Sequence, residues 1–260
     1  FEDAASEPAT YTTLRRRSAL KQYNRWIWDR VRPFVGQRVL EIGAGTGAMT
    51  RLLYGRELIV ATDRETPYLD RLRNAFRRRP GILVERLDLD SDSALALASH
   101  RFDTIACINV LEHTVDDVAA LRRAAALLEP GGRIIVFVPA GPALYGSLDR
   151  GVGHLRRYDR DELVAKLHNA GFEIEDAGFQ NRLGILAWQI NSKILGRTSL
   201  PSAQSRLFDR LVPLIRMLEG QRPSKGLSLI IVGRKRVSSA STDETNAEAG
   251  GAVKPEEQPR

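Results

Sequence analysis

Val39-Leu40-Glu41-Ile42-Gly43-Ala44-Gly45-Thr46-Gly47 is an apolar run that ends in a glycine-rich turn. Glycines at alternate positions let the chain bend sharply and let a ligand approach the backbone where a Cβ would collide. A strand entering such a turn, followed by a helix, opens a βαβ unit whose ligand lies over the carboxyl ends of the strands. The spacing is G-x-G-x-G, not the G-x-G-x-x-G that aims a helix N-terminus at a pyrophosphate. It suits a ligand without phosphates.

Outward from this turn, short apolar runs alternate with helical patterns, the signature of a parallel sheet. Strands are predicted over 39–42, 58–62, 82–87, 104–108, 133–138, 172–176 and 227–232. Several are near-continuous Val/Ile/Leu runs, as strands covered on both faces require. Helices are predicted near 18–34, over 67–78, from about Asp116 with a capping-box-like pair at Thr114 and Asp117, and from Asp159 to a C-terminal Gly171. The expected fold is α/β: a doubly wound, seven-stranded, mostly parallel sheet over 14–236, with a helical insertion before the last strand. Residues 1–13 are expected to be a flexible N-terminus and the Ser/Thr/Glu/Gly/Pro-rich 237–260 a disordered tail.

The insertion, 179–226, reads as helical stretches at 183–195 and 206–218, with Pro213 kinking or breaking the second. Three roles are open to it. It can cap the substrate site, pack as an appendage, or lie on a membrane surface with Arg182, Lys193, Arg197, Arg206, Arg210 and Arg216 at phosphate level.

Composition narrows the class. The chain has 260 residues, 43% of them hydrophobic, enough for one large core. Its net charge of +7 admits nucleic acid, membrane or anionic-substrate partners. The arginines are spread over many segments, which favours plain composition instead. Cys107 stands alone in an apolar run and no Cys/His cluster offers a metal cage, so no metal and a reducing cytoplasm are expected. No apolar stretch reaches the length of a membrane span, and Phe1-Glu2-Asp3 does not begin a signal peptide.

Two more acids stand at strand ends. Asp63 closes the second strand, where a carboxylate accepts both hydroxyls of a ribose. Asp88 follows the third, where it accepts from an exocyclic amine; Asp90 is the alternative. Helix capping explains one such acid more easily than three in succession. Glu41–Gly47, Asp63, Asp88, the run from Phe102 through Asn109-Val110-Leu111-Glu112-His113, and Leu128-Glu129-Pro130-Gly131-Gly132-Arg133 together resemble the class I S-adenosylmethionine-dependent methyltransferases of the type 11/12 branch. The resemblance covers about 34–235. It implies that Glu41, Gly43, Ala44, Gly45 and Gly47 hold the methionine moiety. Asp63 would take the ribose with Arg64 beside it, Asp88 and Leu89 the adenine, and Asn109 the sulfonium region. Tyr23, on the helix before the first strand, is a further cofactor candidate.

Methyl transfer is mainly in-line positioning in a dry pocket, but a hydroxyl or ammonium acceptor must also lose a proton. His113 and His154 both fall at the ligand-facing edge, and either serves as base or as packing. Arg156, Arg157 and Tyr158, with Tyr145 upstream, suit a carboxylate or phosphate on the substrate. The alternative for the arginines is an ion pair with Asp149, Asp159 or Asp161. The expected activity is O- or N-methylation of a small-molecule, lipid or glycan acceptor. An RNA methyltransferase is disfavoured by Asn109-Val110-Leu111-Glu112 where base N-methylation uses (Asp/Asn)-Pro-Pro-aromatic. A non-catalytic cofactor-binding protein remains a rival, and a dehydrogenase is disfavoured by the glycine spacing.

Overall fold

The computed structural model describes residues 20–220 and 223–237. The expected flexible N-terminus, 1–13, and all but the first residue of the expected tail lie outside the described residues. Seven strands among them form one sheet in the order β3-β2-β1-β4-β5-β7-β6. They are β1 Arg38–Ile42, β2 Leu58–Asp63, β3 Ile82–Arg86, β4 Phe102–Ile108, β5 Leu128–Pro139, β6 Phe172–Gln180 and β7 Ser228–Lys235. All neighbours are parallel except β7, which runs antiparallel to both β5 and β6. The helices are α1 Lys21–Val31, α2 Thr66–Phe76, α3 Asp117–Leu127, α4 Ser147–Gly151, α5 Arg160–Asn169, α6 Gly184–Gln189 and α7 Ser202–Glu219. A π-helical turn, Ile190–Ile194, prolongs α6.

Side chains that alternate along each strand go to opposite faces of the sheet. Leu40, Ile134 and Val136 join one core with Leu121 of α3 and Leu163 and Leu167 of α5. Val39, Ile135 and Phe137 join the other with Ile27 and Val31 of α1. Two buried faces explain why these strands read as unbroken apolar runs.

The order of the strands reverses between β1 and β4, and at such a switch point a crevice opens along the carboxyl edge. Because β7 is antiparallel, its first residue, Ser228, comes to that same edge opposite Pro139 of β5. The insertion departs and returns there too, since Gln180 stands opposite Ser228.

Some local expectations are corrected. The glycine turn leads into a short 3-10 helix, Thr50–Leu53, and not an α-helix. Only a few residues separate Gly47 from Gly55, both at positive φ. Helix α3 is capped by Asp116, which accepts from Ala119 N at 2.9 Å, while Thr114 Oγ1 donates back to Leu111 O. Pro213 does not break α7, which runs unbroken from Ser202 to Glu219. The proline sits on its exposed side, where water can satisfy the carbonyl that loses its helical donor.

Candidate active site

The first half of the site surrounds the glycine turn. Gly43, Gly45 and Gly47 all take positive φ, at 69°, 55° and 73°. A Cβ on Gly47 would strike the Phe76 ring at 2.7 Å, so this glycine lets α2 close on the turn. A Cβ on Gly45 would meet nothing nearer than Gly43 O at 4.0 Å, so the space over the bend is open. Asp63 is buried beside it: its Oδ2 accepts from Gly45 N at 2.9 Å and its Oδ1 from Glu65 N at 3.1 Å. Burial raises its pKa against the pull of these backbone bonds. Glu41 is more deeply enclosed. Burial pushes it up to about 7, although Thr50, whose Oγ1 donates to Oε2 at 2.6 Å, and Arg51 pull it down; the charge of Asp63 adds to the rise.

Two desolvated carboxylates beside an open bend repel a phosphate and attract a cation. That donor set fits S-adenosylmethionine, whose sulfonium and ammonium are positive and whose ribose offers a diol. Asp88 is half-buried at the same edge and accepts from Asp90 N at 3.0 Å, whereas Asp90 is exposed. Ala44 N donates to Thr62 O at 2.7 Å, tying the turn to β2. Arg64 is exposed and pairs with Glu65 at 3.3 Å. Leu89 is corrected in part: its side chain belongs to the main core, which leaves only its backbone to face a ligand. Sequence reasoning missed Tyr68. It is buried in the first turn of α2, and burial together with the charges of Asp63 and Glu65 pushes its phenol up to about 12.

The second half lies beyond β4. Asn109, at φ 55°, closes β4 and shares a pocket of about 190 Å³ with His154 and Arg157. Leu148, Trp188 and Phe208 supply apolar walls, and α6, its π-helical turn and α7 form the roof. Tyr23 belongs to this pocket as well: its hydroxyl lies 3.3 Å from Ser228 Oγ and its ring packs edge-on to Phe208.

Asp149, fully buried on α4, organises the polar wall. His154 Nδ1 lies 2.9 Å from its Oδ1, Arg157 Nε donates to the same oxygen at 2.9 Å, and Gly146 N donates to Oδ2 at 3.0 Å. Burial alone would raise this carboxyl, but the His154 and Arg157 bonds hold it below the usual range. His154 Nε2 faces the buried Glu112 Oε1 at 3.6 Å. The His113 ring stands edge-on to His154 with centroids 5.0 Å apart, its Nδ1 3.0 Å from Gly153 O. Glu112, His113 and His154 thus bring one donor atom each within 4.8 Å of one another, a cluster able to hold a metal ion. The sequence offered no metal-ligand spacing because His154 joins the other two only through the fold.

Of the expected substrate contacts, Arg157 lines the pocket and Tyr145, Arg156 and Tyr158 do not. Tyr158 is fully buried, its hydroxyl bonded to Leu111 O and Asp117 Oδ2 at 3.1 Å each. Arg156 is held by Asp117 at 3.0 Å and by Val115 O at 3.0 Å. Arg157 is buried, bonded also to Ala140 O and laid over Trp188 at 4.4 Å, so it lines the pocket as part of the Asp149 network. The ion-pair alternative holds for both arginines, with Asp117 as an acid outside those considered. Tyr145 donates to His154 O at 2.9 Å and steadies the histidine's loop.

Comparison with known proteins identifies the family. The family described as "Methyltransferase domain" matches residues 13–177. A ubiquinone biosynthesis O-methyltransferase from Xanthomonas euvesicatoria pv. vesicatoria is 28% identical over 180 residues, covering 64% of this chain and 73% of that one. Among solved structures, an S-adenosylmethionine-dependent methyltransferase from Mesorhizobium loti superposes with a TM-score of 0.55 at 18% identity, over 80% of this chain and 97% of that one. The trans-methyltransferase CalH in complex with SAH superposes with a TM-score of 0.51 at 20% identity, over 84% and 57%. The matched family spans more than half of the sequence and includes the glycine turn and the strand-end acids: the chain belongs to the methyltransferase domain family and is an S-adenosylmethionine-dependent methyltransferase.

Proposed function

We propose that this enzyme methylates a hydroxyl group on a small, largely apolar acceptor bound under the 179–226 cap, with His154 taking the hydroxyl proton. When bound, S-adenosylmethionine supplies a methyl group already activated on sulfur. Glu41, Asp63 and the glycine turn hold and orient it, and Asn109 stands where the two halves of the site meet. The observation that carries the reading is the Asp149–His154 pair on the wall of an apolar pocket at the carboxyl edge. Asp149, held ionised, orients His154 through Nδ1, and Nε2 faces Glu112 Oε1, so a proton taken from the hydroxyl would be held between the imidazole and that carboxylate. The apolar roof excludes water. The O-methyltransferase activity of the Xanthomonas relative supports the same choice of acceptor atom.

The test is methyl transfer to a panel of hydroxylated aromatic and aliphatic acceptors. His154→Gln should lower turnover by about 10²- to 10⁴-fold and leave affinity for S-adenosylhomocysteine intact. Full turnover in this variant ends the assignment.

A second reading rests on the Glu112–His113–His154 cluster. A divalent cation there would orient the acceptor and acidify its hydroxyl, making His154 Nε2 a ligand and not a base. Chelation separates the two: activity lost with EDTA and restored by a divalent cation selects the metal, and insensitivity selects the histidine.

A further inference from the structure

The roof over the pocket has a second face. Helix α6 with its π-helical turn directs Ala187, Trp188 and Asn191 to the pocket, and α7 directs Phe208. On α7, Leu207, Leu211, Leu214 and Leu218 recur at steps of four, three and four, an apolar stripe at helical spacing, with Met217 beside it. On the α6 segment, Leu183, Leu186, Ile190 and Ile194 recur in the same manner. These nine side chains are between 39% and 75% exposed. Both helices are therefore apolar towards the pocket and towards solvent, and an exposed apolar stripe along a whole helix marks an interaction surface.

The same segment is basic. In sequence, 179–226 holds eight Lys and Arg against two acids; of these, Arg216 pairs with Asp29 of α1 at 2.6 Å and Arg222 lies outside the described residues. Both acids are turned to the protein's own backbone. Asp209 Oδ1 accepts from Gln22 N and Tyr23 N at 3.0 Å each, and Glu219 accepts from Asn181 N at 2.7 Å and Arg182 N at 2.6 Å. Lys193, Arg206 and Arg210 are exposed. Arg206 and Arg210 each precede a stripe leucine by one position, which puts them about 100° round the helix from it.

We propose that this outer face docks on an anionic lipid surface. An apolar stripe bordered by long cationic side chains lets the leucines enter the acyl boundary while the guanidinium groups stay among phosphates. No helix among the described residues is long and apolar enough to cross a membrane, so the two helices lie in the plane of the interface. A second copy of the chain suits the face less well, because a two-fold dimer would set the same positive surface against itself. Docking places the roof of the pocket on the bilayer. Under the function proposed above, and only in this step resting on it, an acceptor with an apolar tail then enters from the lipid.

The experiment is co-sedimentation of the full chain with phosphatidylcholine vesicles, with and without phosphatidylglycerol, in the absence of cofactor and acceptor. Its outcome is thus independent of the methyl-transfer reading. The protein should bind the phosphatidylglycerol vesicles and lose binding as salt rises. Arg206→Ala/Arg210→Ala should weaken binding by about thirtyfold. Leu211→Asp/Leu214→Asp should abolish it, and wild-type affinity of both variants for S-adenosylhomocysteine shows that they fold. Three results overturn the proposal: no retention on anionic vesicles, equal retention on both vesicle types, or undiminished binding by the Leu211→Asp/Leu214→Asp variant. A lipid-free dimer that this substitution dissolves overturns it as well, by making the face a self-interface.

Discussion

The carboxylates at the two ends of the ligand-facing edge are held in opposite ways. Glu41 and Asp63, beside the glycine turn, are bonded by a threonine and by backbone amides, and both carry raised pKa values. Asp149 and Asp117, under β5 and the loop that follows it, are bonded by Arg157, His154, Arg156 and Lys166, and both are lowered. One end keeps desolvated carboxyls that hold their protons more tightly than usual and that a neighbouring cation would ionise. The other end has its charge already neutralised from within, which stiffens the wall of the neighbouring pocket and leaves it electrically quiet.

The contrast can be broken first at Asp149. Asp149→Ala leaves the buried Arg157 guanidinium without its carboxylate, and loss of one member of such a pair costs about 3–5 kcal/mol. Denaturant unfolding measures it; a loss near zero would show that the network is not stabilising. Asp63→Ala should behave differently. It should weaken S-adenosylhomocysteine binding by roughly 10- to 100-fold, the worth of hydrogen bonds to a charged group, with a smaller change in stability. Calorimetry that finds unchanged affinity would remove Asp63 from the cofactor site.

The smallest effect is a pH dependence at Glu41. A carboxyl with a pKa of about 7 in the free protein ionises more readily beside a cation, so cofactor binding releases a proton. Affinity for S-adenosylmethionine should then rise roughly tenfold from about pH 6 to about pH 8, and Glu41→Gln should flatten that rise. The sign for folding is the reverse of that for a paired acid. Folded Glu41 holds its proton more tightly than the unfolded chain does, so its contribution is present below the unfolded value and is lost as pH climbs through 7. A wild-type affinity that is flat with pH would mean that the cofactor's charge does not reach Glu41.

The fold around the glycine turn was legible because its signals are local. A strand, a bend and an acid at a strand end are each readable within a few residues, and the two-faced burial of β1, β4 and β5 writes itself as unbroken apolar runs. The pocket beyond β4 was not. Tyr158 looked available in a loop at the ligand edge, yet it pairs through a bridge with Ala140 and becomes core. Nothing in local spacing announces that His154 will face Glu112, forty-two positions earlier, because only the pairing of β4 with β5 sets where these loops meet. Pro213 misled for a related reason: its solvent side tolerates what a buried helix would not.

Leu227 N donates to Asn181 O at 3.2 Å, directly beside the rung where Gln180 meets Ser228. The chain therefore leaves the sheet and rejoins it at a single rung, and residues 182–226 are a cassette outside the ladder, one that is also tied to α1 by Asp209 and Arg216 and to α4 by Ser192. Replacing that cassette with another of different length would leave every strand register as it is, since the ladder closes before the excursion begins. Descendants of this scaffold could in this way acquire new acceptors while inheriting the nucleoside cradle unaltered.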